Sequence, residues 1–298
     1  MATARREYFG YLLEPGLRKI FYNVYNQIPS MIKEIFNVQS TSNPYEEDVS
    51  IGAMSGFPLF EGTVVYDDIN QGYKKLYEFP EYAKGFKIER KLYDDDRYNV
   101  INKRPVGLAI EAARAREIHA ASIFMGAFDT DIKGGDTKAL CATDHTTTAP
   151  DGPTARSNKG TSALGHESLQ ATKLLMRNTR DDRGGRISVV PDTLLVGPVL
   201  EELSYELVKS DKVIDSSNWN PSIHEGRYKV LVWDEITDDR WFLIDSKYSK
   251  LFLNWFDRVS LEFAMEEEFD TFVAKFRAYM RYEVGFSDWV WCYGHLPV

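Results

Sequence analysis

The longest helical pattern in the chain runs from Asp94 to Phe128, with an acidic start and no glycine between Gly107 and Gly126. Its apolar positions recur at steps of three and four residues, at Leu108, Ala112, Ala115, Ile118 and Ser122/Ile123. Pro105 lies where the first turn begins and Gly126 where the last turn ends, as is typical of helix ends. At a rise of 1.5 Å per residue such a helix is roughly 30 Å long. The pattern predicts a spine on which other elements pack.

The strongest strand pattern follows later in the chain. Apolar and polar residues alternate over Val259–Met265 and again over Phe272–Val284, which is typical of half-buried strands. A strand of about fifteen residues is roughly 50 Å long at 3.3 Å per residue. Strands of this length pack naturally along a long helix, so we expect them beside the spine.

A shorter amphipathic helix lies between Pro15 and Pro29. Its apolar stripe consists of Leu17, Ile20, Phe21, Val24, Tyr25 and Ile28. The spacing of these residues matches one face of a helix. This stripe must be buried either against the body of its own chain or against a neighbouring copy.

Residues 50 to 93 form an extended, hairpin-like excursion. Ser40–Gly62 is rich in Ser, Asn, Pro and Gly and predicts an irregular connection. Three strands are predicted after it: Thr63–Tyr66, Tyr73–Phe79 and Phe86–Tyr93. A hairpin without a third layer is only marginally stable, and open strand edges invite pairing with another chain. The excursion therefore folds back on its own body or is completed by another subunit.

The central part of the chain predicts a loop region followed by shorter elements. A helix is predicted from Gly165 or His166 to about Arg180, and Pro198 begins another that ends at Lys209. The predicted strands are Ile187–Val190, Thr193–Val196, Tyr228–Trp233 and Arg240–Asp245. Residues 187–250 are thus expected to form a compact α+β unit.

Composition excludes several classes of protein. The chain has 298 residues, 43% of them hydrophobic, enough for one large or two medium domains. All six tryptophans fall between Trp219 and Trp291, so the heaviest packing is expected there. A net charge of −9 argues against electrostatic binding of nucleic acid or of an anionic membrane. No signal peptide or apolar run of membrane-spanning length is found.

Cys141 and His145 are the first candidates for chemistry. The two cysteines are too far apart and too few for a disulfide framework or a zinc site, which favours reduced thiols in the cytoplasm. Nucleophilic catalysis by Cys141 would need a base and a third group that orients it. The loop around His145 is rich in threonine and has no nucleophile elbow. A structural histidine is favoured, and a hydrolase using Cys141 and His145 is the minor alternative.

Three acidic segments are candidates for binding metal or phosphate. One superficially resembles a calcium loop, at Asp129, Asp131, Gly134 and Asp136. Its spacing fails because Lys133 occupies a ligand position and Leu140 replaces the bidentate glutamate. Asp94–Asp96 is better explained as a helix start or as a turn between strand and helix, and Asp181–Arg186 as a solvent-facing turn. We therefore predict no catalytic residue, no cofactor and no metal.

Several short stretches, taken in order, resemble those of a known family. These are Phe86–Asp96, Ala139–His145 with Ser157-Asn158, Leu169–Gly184, Pro191–Pro198 and Asp238–Asp245. Their order resembles the major capsid protein of tailed phages, which has the Hong Kong ninety-seven-type shell fold. Within that group the chain is most similar to the Mu-like major head subunit family.

The resemblance implies an α+β fold with four parts. These are an N-terminal arm (1–50), an extended loop (51–93), a peripheral domain with the spine helix and long strands (94–186 and 251–298) and an axial domain (187–250). It also implies a non-enzymatic protein that self-assembles into an icosahedral shell around double-stranded DNA. An encapsulin-like compartment that encloses an enzyme cargo is the main alternative.

The resemblance further implies partners and a location. The expected partners are copies of the chain in hexamers and pentamers, a portal, a possible decoration protein and packaged DNA contacted without specificity. No membrane is expected. Because the arm helix begins almost at Met1, we expect a separate scaffolding protein. The location is the virion, after assembly in the host cytoplasm. Some members form a lysine–asparagine crosslink, but no motif singles out one of Lys74, Lys75, Lys84 and Lys87.

Overall fold

The protein is described here from a computed structural model. The described residues are 9–51, 54, 56, 59–60, 62–64, 66, 71–95, 100–147, 155–210, 222–268, 270–271 and 273–297. The helices are α1 (Phe9–Gln27), α2 (Ile32–Ile35), α3 (Arg90–Asp94), α4 (Lys103–Met125), α5 (His166–Arg177), α6 (Glu201–Lys209) and α7 (Ser246–Phe252). The strands are β1 (Asn37–Ser40), β2 (Tyr45–Ile51), β3 (Gln71–Glu78), β4 (Glu81–Glu89), β5 (Lys159–Gly160), β6 (Thr193–Val196), β7 (Lys229–Val232), β8 (Trp241–Ile244), β9 (Leu253–Glu268), β10 (Val273–Phe286) and β11 (Cys292–His295). The predicted α+β class is confirmed.

Two long antiparallel strands form the centre of the first sheet. β9 pairs with β10 from Leu253 opposite Phe286 to Glu268 opposite Val273. β1 adds to β9 in parallel and β4 adds to β10 in antiparallel, giving the order β1-β9-β10-β4. The predicted long strands are confirmed, with β9 beginning earlier than expected. Phe272, the predicted start of the last strand, lies outside the described residues.

The predicted spine is α4, and it lies on this sheet. Its buried face consists mainly of small residues, including Ala109, Ala112, Ala120 and Ala121. Small side chains allow the helix axis to approach the long strands closely. His119 Nδ1 lies 2.6 Å from the Tyr282 hydroxyl of β10. The predicted packing of the spine against the long strands is confirmed.

The first helix begins before Pro15 and contains it, whereas the sequence predicted a start after this proline. Proline lacks an N–H and costs helix stability in an interior turn, but burial of the following turns offsets that cost. The Phe21 ring lies 4.9 Å from that of Phe263, and the Tyr22 hydroxyl donates a hydrogen bond to the Leu261 carbonyl at 3.0 Å. The apolar stripe is therefore buried against the body of its own chain.

The excursion contains a hairpin formed by β2 and β3. The irregular connection predicted for Ser40–Gly62 is wrong over β2, which pairs with β3 from Tyr45 opposite Glu78 onward. Three consecutive acidic residues obscure the strand alternation there. Of the predicted strand Thr63–Tyr66, Val65 lies outside the described residues and the other three are not in a strand.

The strand predicted for Phe86–Tyr93 ends at Glu89, and Arg90–Asp94 forms the short helix α3 instead. Glu89 pairs with Val273, the first residue of β10. The described pairing of β4 with β10 ends there, and the chain continues as α3. This part of the prediction was wrong.

The second sheet has the strand order β5-β11-β8-β6-β7. All residues of β6 and β8 are buried, because each face of the sheet is covered. One face meets the spine, where the Phe242 ring lies 5.2 Å from that of Phe124. The other face packs against α5 and α6 through a separate apolar cluster that includes Leu169, Leu207 and Leu243. β5 and β11 join from outside residues 187–250, and the four-part division remains a prediction.

Smaller corrections concern the ends of elements. Ile187–Val190 is not a strand: the Val190 N–H donates to the Asp245 carboxylate at 2.8 Å, and Pro191 has no N–H for a ladder. Pro198 begins a 3-10 turn that precedes α6. α5 ends at Arg177, before the predicted Arg180. No described helix is both long and apolar enough to cross a membrane.

Candidate functional site

Cys141 and His145, the residues of the hydrolase alternative, have different partners in the fold. Both cysteines are buried free thiols. Cys141 contacts the thiol of Cys292 on β11, and burial together with this contact raises the pKa of Cys292 well above its ordinary value. Such thiols are inert, because the reactive form is the thiolate.

His145 is fully buried between two polar side chains, with Nδ1 2.6 Å from Asp136 Oδ2 and Nε2 3.0 Å from Asn158 Oδ1. The Asn158 amide nitrogen donates to the carbonyls of Leu140 and Cys292, at 2.7 and 3.0 Å. This assigns Oδ1 as an acceptor, so Nε2 of His145 must carry a proton. The other ring nitrogen, Nδ1, is occupied by the short contact to Asp136. Neither ring nitrogen is left with a free lone pair for a substrate.

One face of the His145 ring is also covered. The ring stacks on Trp289 with centroids 4.2 Å apart, and the Arg156 guanidinium lies 5.0 Å from the Trp289 ring. The network therefore joins the loop after the spine to the segment before β11. This geometry supports the structural histidine over the hydrolase alternative.

The predicted acidic segments are separate from one another. Asp129 and Asp131 are exposed, whereas Asp136 is buried against His145. Asp94 ends α3, Asp95 follows in a turn, and Asp96 lies outside the described residues. Since α4 begins only at Lys103, Asp94 and Asp95 lie ahead of the spine rather than in its first turn. Among the described residues, no group of three His, Cys, Asp or Glu could hold a metal ion.

The segment Asp181–Arg186 is a tight turn. Asp181 Oδ1 accepts hydrogen bonds from the N–H groups of Arg183 and Gly185, at 2.9 and 2.7 Å. Gly184 has a φ of +85°, a conformation that favours glycine. These backbone donors are satisfied within the turn, in agreement with the sequence prediction.

The four lysines considered for a crosslink occupy different environments. Lys74 pairs with Glu47 at 2.7 Å across the hairpin, and Lys84 lies 3.5 Å from Glu111 on the spine. Lys75 donates to the Lys133 carbonyl at 2.7 Å. Lys87 is on β4, opposite Lys275 of β10.

The hairpin is attached to the body along one face. Tyr77 is buried, with its ring 5.0 Å from that of Phe256 on β9. The Tyr73 hydroxyl lies 2.7 Å from the Thr146 hydroxyl of the loop after the spine. The hairpin is therefore fixed to the body at two points along β3.

The other face of the hairpin is exposed and partly apolar. Tyr45, Val49 and Leu76 lie on it, and Leu76 remains 44% exposed. We call these three residues the hairpin outer face. Sequence reasoning missed it because the apolar residues of β2 are separated by Glu46, Glu47 and Asp48. Exposed apolar residues grouped in this way are typical of protein interaction surfaces.

A titratable carboxyl lies where the hairpin joins β10. Burial raises the pKa of Glu283 to about 7, and Glu78 acts in the same direction, while the Val284 N–H and Lys75 oppose the rise. Burial also lowers the pKa of Lys75. Glu283 therefore changes its charge near neutral pH.

Comparisons with known proteins were made for sequence and for structure. A sequence model of the phage capsid protein family matches residues 72–294. No curated protein matches the chain.

Several solved structures share the fold. A structure from Microbacterium phage Oxtober96 has a TM-score of 0.59 at 11% identity, over 91% of this chain and 92% of that one. The mature capsid of bacteriophage PhiM1 has a TM-score of 0.59 at 11% identity, over 91% and 88%. The capsid of a native GTA particle has a TM-score of 0.56 at 14% identity, over 91% and 92%. At these identities the likeness concerns the fold.

Proposed function

The chain belongs to the phage capsid protein family, and we propose that its copies form the hexamers and pentamers of an icosahedral head around double-stranded DNA. It is a major capsid protein with the Hong Kong ninety-seven-type fold, and it forms a shell with further copies of itself. Its role is structural, and it belongs to the virion capsid. The match over residues 72–294 is the observation that carries this conclusion.

The four-part division suggests how neighbouring subunits meet. In this proposal the peripheral domain (94–186 and 251–298) and the axial domain (187–250) form the tile, and the arm and extended loop contact neighbours. The hairpin outer face supports this role, because Tyr45, Val49 and Leu76 are apolar and exposed in the single chain. Each contact can be weak when every subunit makes several at once.

The remaining partners follow from the same proposal. A shell of this kind needs a scaffolding protein, a portal, possible decoration proteins and non-specific contacts with DNA, and it assembles in the host cytoplasm. The order of the sequence motifs supports a place close to the Mu-like major head subunits. The match to the phage capsid family does not favour an encapsulin-like compartment.

The experiment is electron microscopy of the expressed full-length chain, with and without a scaffolding partner. Shells, tubes or rings are expected from the wild type, and Leu76→Asp is expected to reduce them because it places a charge on the hairpin outer face. Leu251→Asp, at an exposed leucine of α7 away from the hairpin, is the matched control. A wild type that stays monomeric at high concentration in both conditions would contradict the proposal. Equal assembly of Leu76→Asp and the wild type would remove the role of the hairpin.

A further inference from the structure

Two helices cover the outer face of the second sheet. α5 packs beside β11, nearer the β5 edge, and α6 packs on β6 and β7, at the other edge. Both bury apolar residues in the same cluster. Each helix also has a face that points away from the sheet, and the two outward faces differ in chemistry.

The outward face of α5 is apolar and basic. Leu174 and Leu175 are 62% and 50% exposed, although the helix already buries Leu169 and Met176 on its other side. Lys173 and Arg177 flank the two leucines, one turn apart. We call this surface, together with the nearby Arg227, the basic face.

The three cations of the basic face lie within electrostatic reach of one another. The pKa of Lys173 is lowered by burial and also by the positive charges of Arg227 and Arg177. Among the residues that the structure describes, none of these three forms an ion pair with a carboxylate. An external anionic surface would relieve this repulsion.

The outward face of α6 is apolar and acidic. Val199, in the turn that leads into the helix, is 67% exposed. Glu202 and Glu206 follow at helical spacing and are exposed, as is Glu201 beside them. No partner for Glu202 or Glu206 is found within the described part of the chain. We call this surface the acidic face.

We propose that the basic face of one subunit binds the acidic face of the next copy of the same chain. Leu174 and Leu175 would pack against Val199, while Lys173, Arg177 and Arg227 would pair with Glu201, Glu202 and Glu206. Because the two faces belong to opposite edges of one sheet, the contact is heterologous, and repeating it in one direction closes a ring when the rotation allows. The inference rests on the proposed function and assigns residues to a subunit contact within it.

The choice of a second copy as the partner follows from complementarity. One chain carries both halves of the contact, with matching apolar residues and opposite charges. A ring of copies neutralises every basic face and every acidic face. Opposed charges across an interface also exclude wrong pairings, because like charges brought together are strongly unfavourable.

The test uses charge reversal on the full-length chain. Lys173→Glu with Arg177→Glu makes both faces acidic, and Glu202→Lys with Glu206→Lys makes both basic. Each double variant is expected to lower the assembled fraction about tenfold or more in sedimentation, because like charges then meet. The quadruple variant carries all four substitutions, restores opposite faces and keeps the wild-type net charge, so it is the matched control and is expected to assemble. Circular dichroism and thermal unfolding check that every variant is folded.

Mixing the two double variants gives a second, sharper readout. In the mixture each all-acidic subunit can bind an all-basic neighbour on both sides, so assembly is expected to return in alternating order. Alternation closes only rings with an even number of subunits, which native mass spectrometry resolves. Hexamers should therefore return in the mixture and pentamers should not.

The outcomes distinguish a failure of the proposed function from a failure of the contact between α5 and α6. If the wild type forms no assemblies, the proposed function itself fails. If the wild type assembles but both double variants assemble equally well, the α5–α6 contact is wrong. The contact is also wrong if only Lys173→Glu/Arg177→Glu fails to assemble and the quadruple variant does not assemble either. That result would assign the basic face to a different macromolecule.

Discussion

Replacing His145 with alanine is expected to destabilise the subunit strongly. The ring makes contacts of 2.6 Å to Asp136 and 3.0 Å to Asn158, and it stacks on Trp289 at 4.2 Å. In His145→Ala the buried Asp136 carboxyl loses this contact and keeps the hydrogen bond from the Lys138 N–H, at 3.1 Å. A cavity would also open beside the indole ring.

The size of the effect follows from these losses. Leaving a buried polar group without its partner costs roughly 1–3 kcal/mol, and truncating a buried aromatic-sized side chain to alanine costs roughly 3–5 kcal/mol, so we expect about 4 kcal/mol for His145→Ala. For a chain of this length each kcal/mol lowers Tm by about 2 °C, so Tm should fall by about 8 °C. Calorimetry of the unassembled protein measures this directly.

Two further variants make the result specific. Asp144→Ala removes the exposed neighbour of His145 and should change stability by less than about 0.5 kcal/mol. In an Asp136→Asn background the cost of His145→Ala should shrink, because the carboxyl that His145 contacts has already been replaced. A loss below about 1 kcal/mol for His145→Ala alone would refute the reasoning.

Four other variants test the electrostatics of the body. Arg116 binds Asp257 through two contacts of 2.9 and 3.1 Å. Arg116→Met should therefore lower the free energy of unfolding in urea by roughly 3–5 kcal/mol, and the double variant Arg116→Met/Asp257→Leu should lower it clearly less. Equal losses in the two variants would contradict the pairing. Burial raises the pKa of Glu283 to about 7, so this group's contribution to stability is present below its ordinary 4.5 and is lost as pH rises through about 7. Glu283→Gln should reduce this loss of stability with rising pH, measured as Tm against pH. A profile identical to that of the wild type would contradict the assignment to Glu283. Burial lowers the pKa of His295 to about 4, so the contribution of this histidine to stability is present above its ordinary pKa of 6.5 and is lost as pH falls towards 4. His295→Gln should therefore reduce the loss of stability in acid, measured as Tm against pH.

The elements that could be predicted from sequence are those in which apolar residues recur at a regular spacing over a long stretch. The spine α4 and the strands β9 and β10 repeat their apolar spacing over many residues, so their burial could be inferred without knowing their partners. β11 could not be inferred in this way, because Cys292–His295 is short and becomes a strand only between β5 and β8. β2 was missed because its backbone pairing is determined by β3 rather than by apolar residues of its own.

The same limit applies to the sites. Sequence proximity suggested that Cys141 would meet His145, but the fold brings Cys141 to Cys292 and His145 to Trp289. Neither partner is signalled by a motif, since both contacts join segments far apart in the chain. The glutamates of α6 were visible as the polar side of a predicted helix. The basic face of α5 could not be identified without knowing which side of that helix the sheet covers.

The parallel pairing of β1 with β9 has a consequence for the rate at which subunits become available. Asn37 and Asn254 meet in this pairing although they are 217 positions apart. Contacts between such distant segments slow folding, because a large loop must close before the pairing gains any stability. Until then the apolar stripe of α1 has no strand β9 to cover it, and exposed stripes of this kind aggregate. The yield of assembled shells should therefore depend on the rate of folding, and lower expression temperatures or added chaperones should raise it.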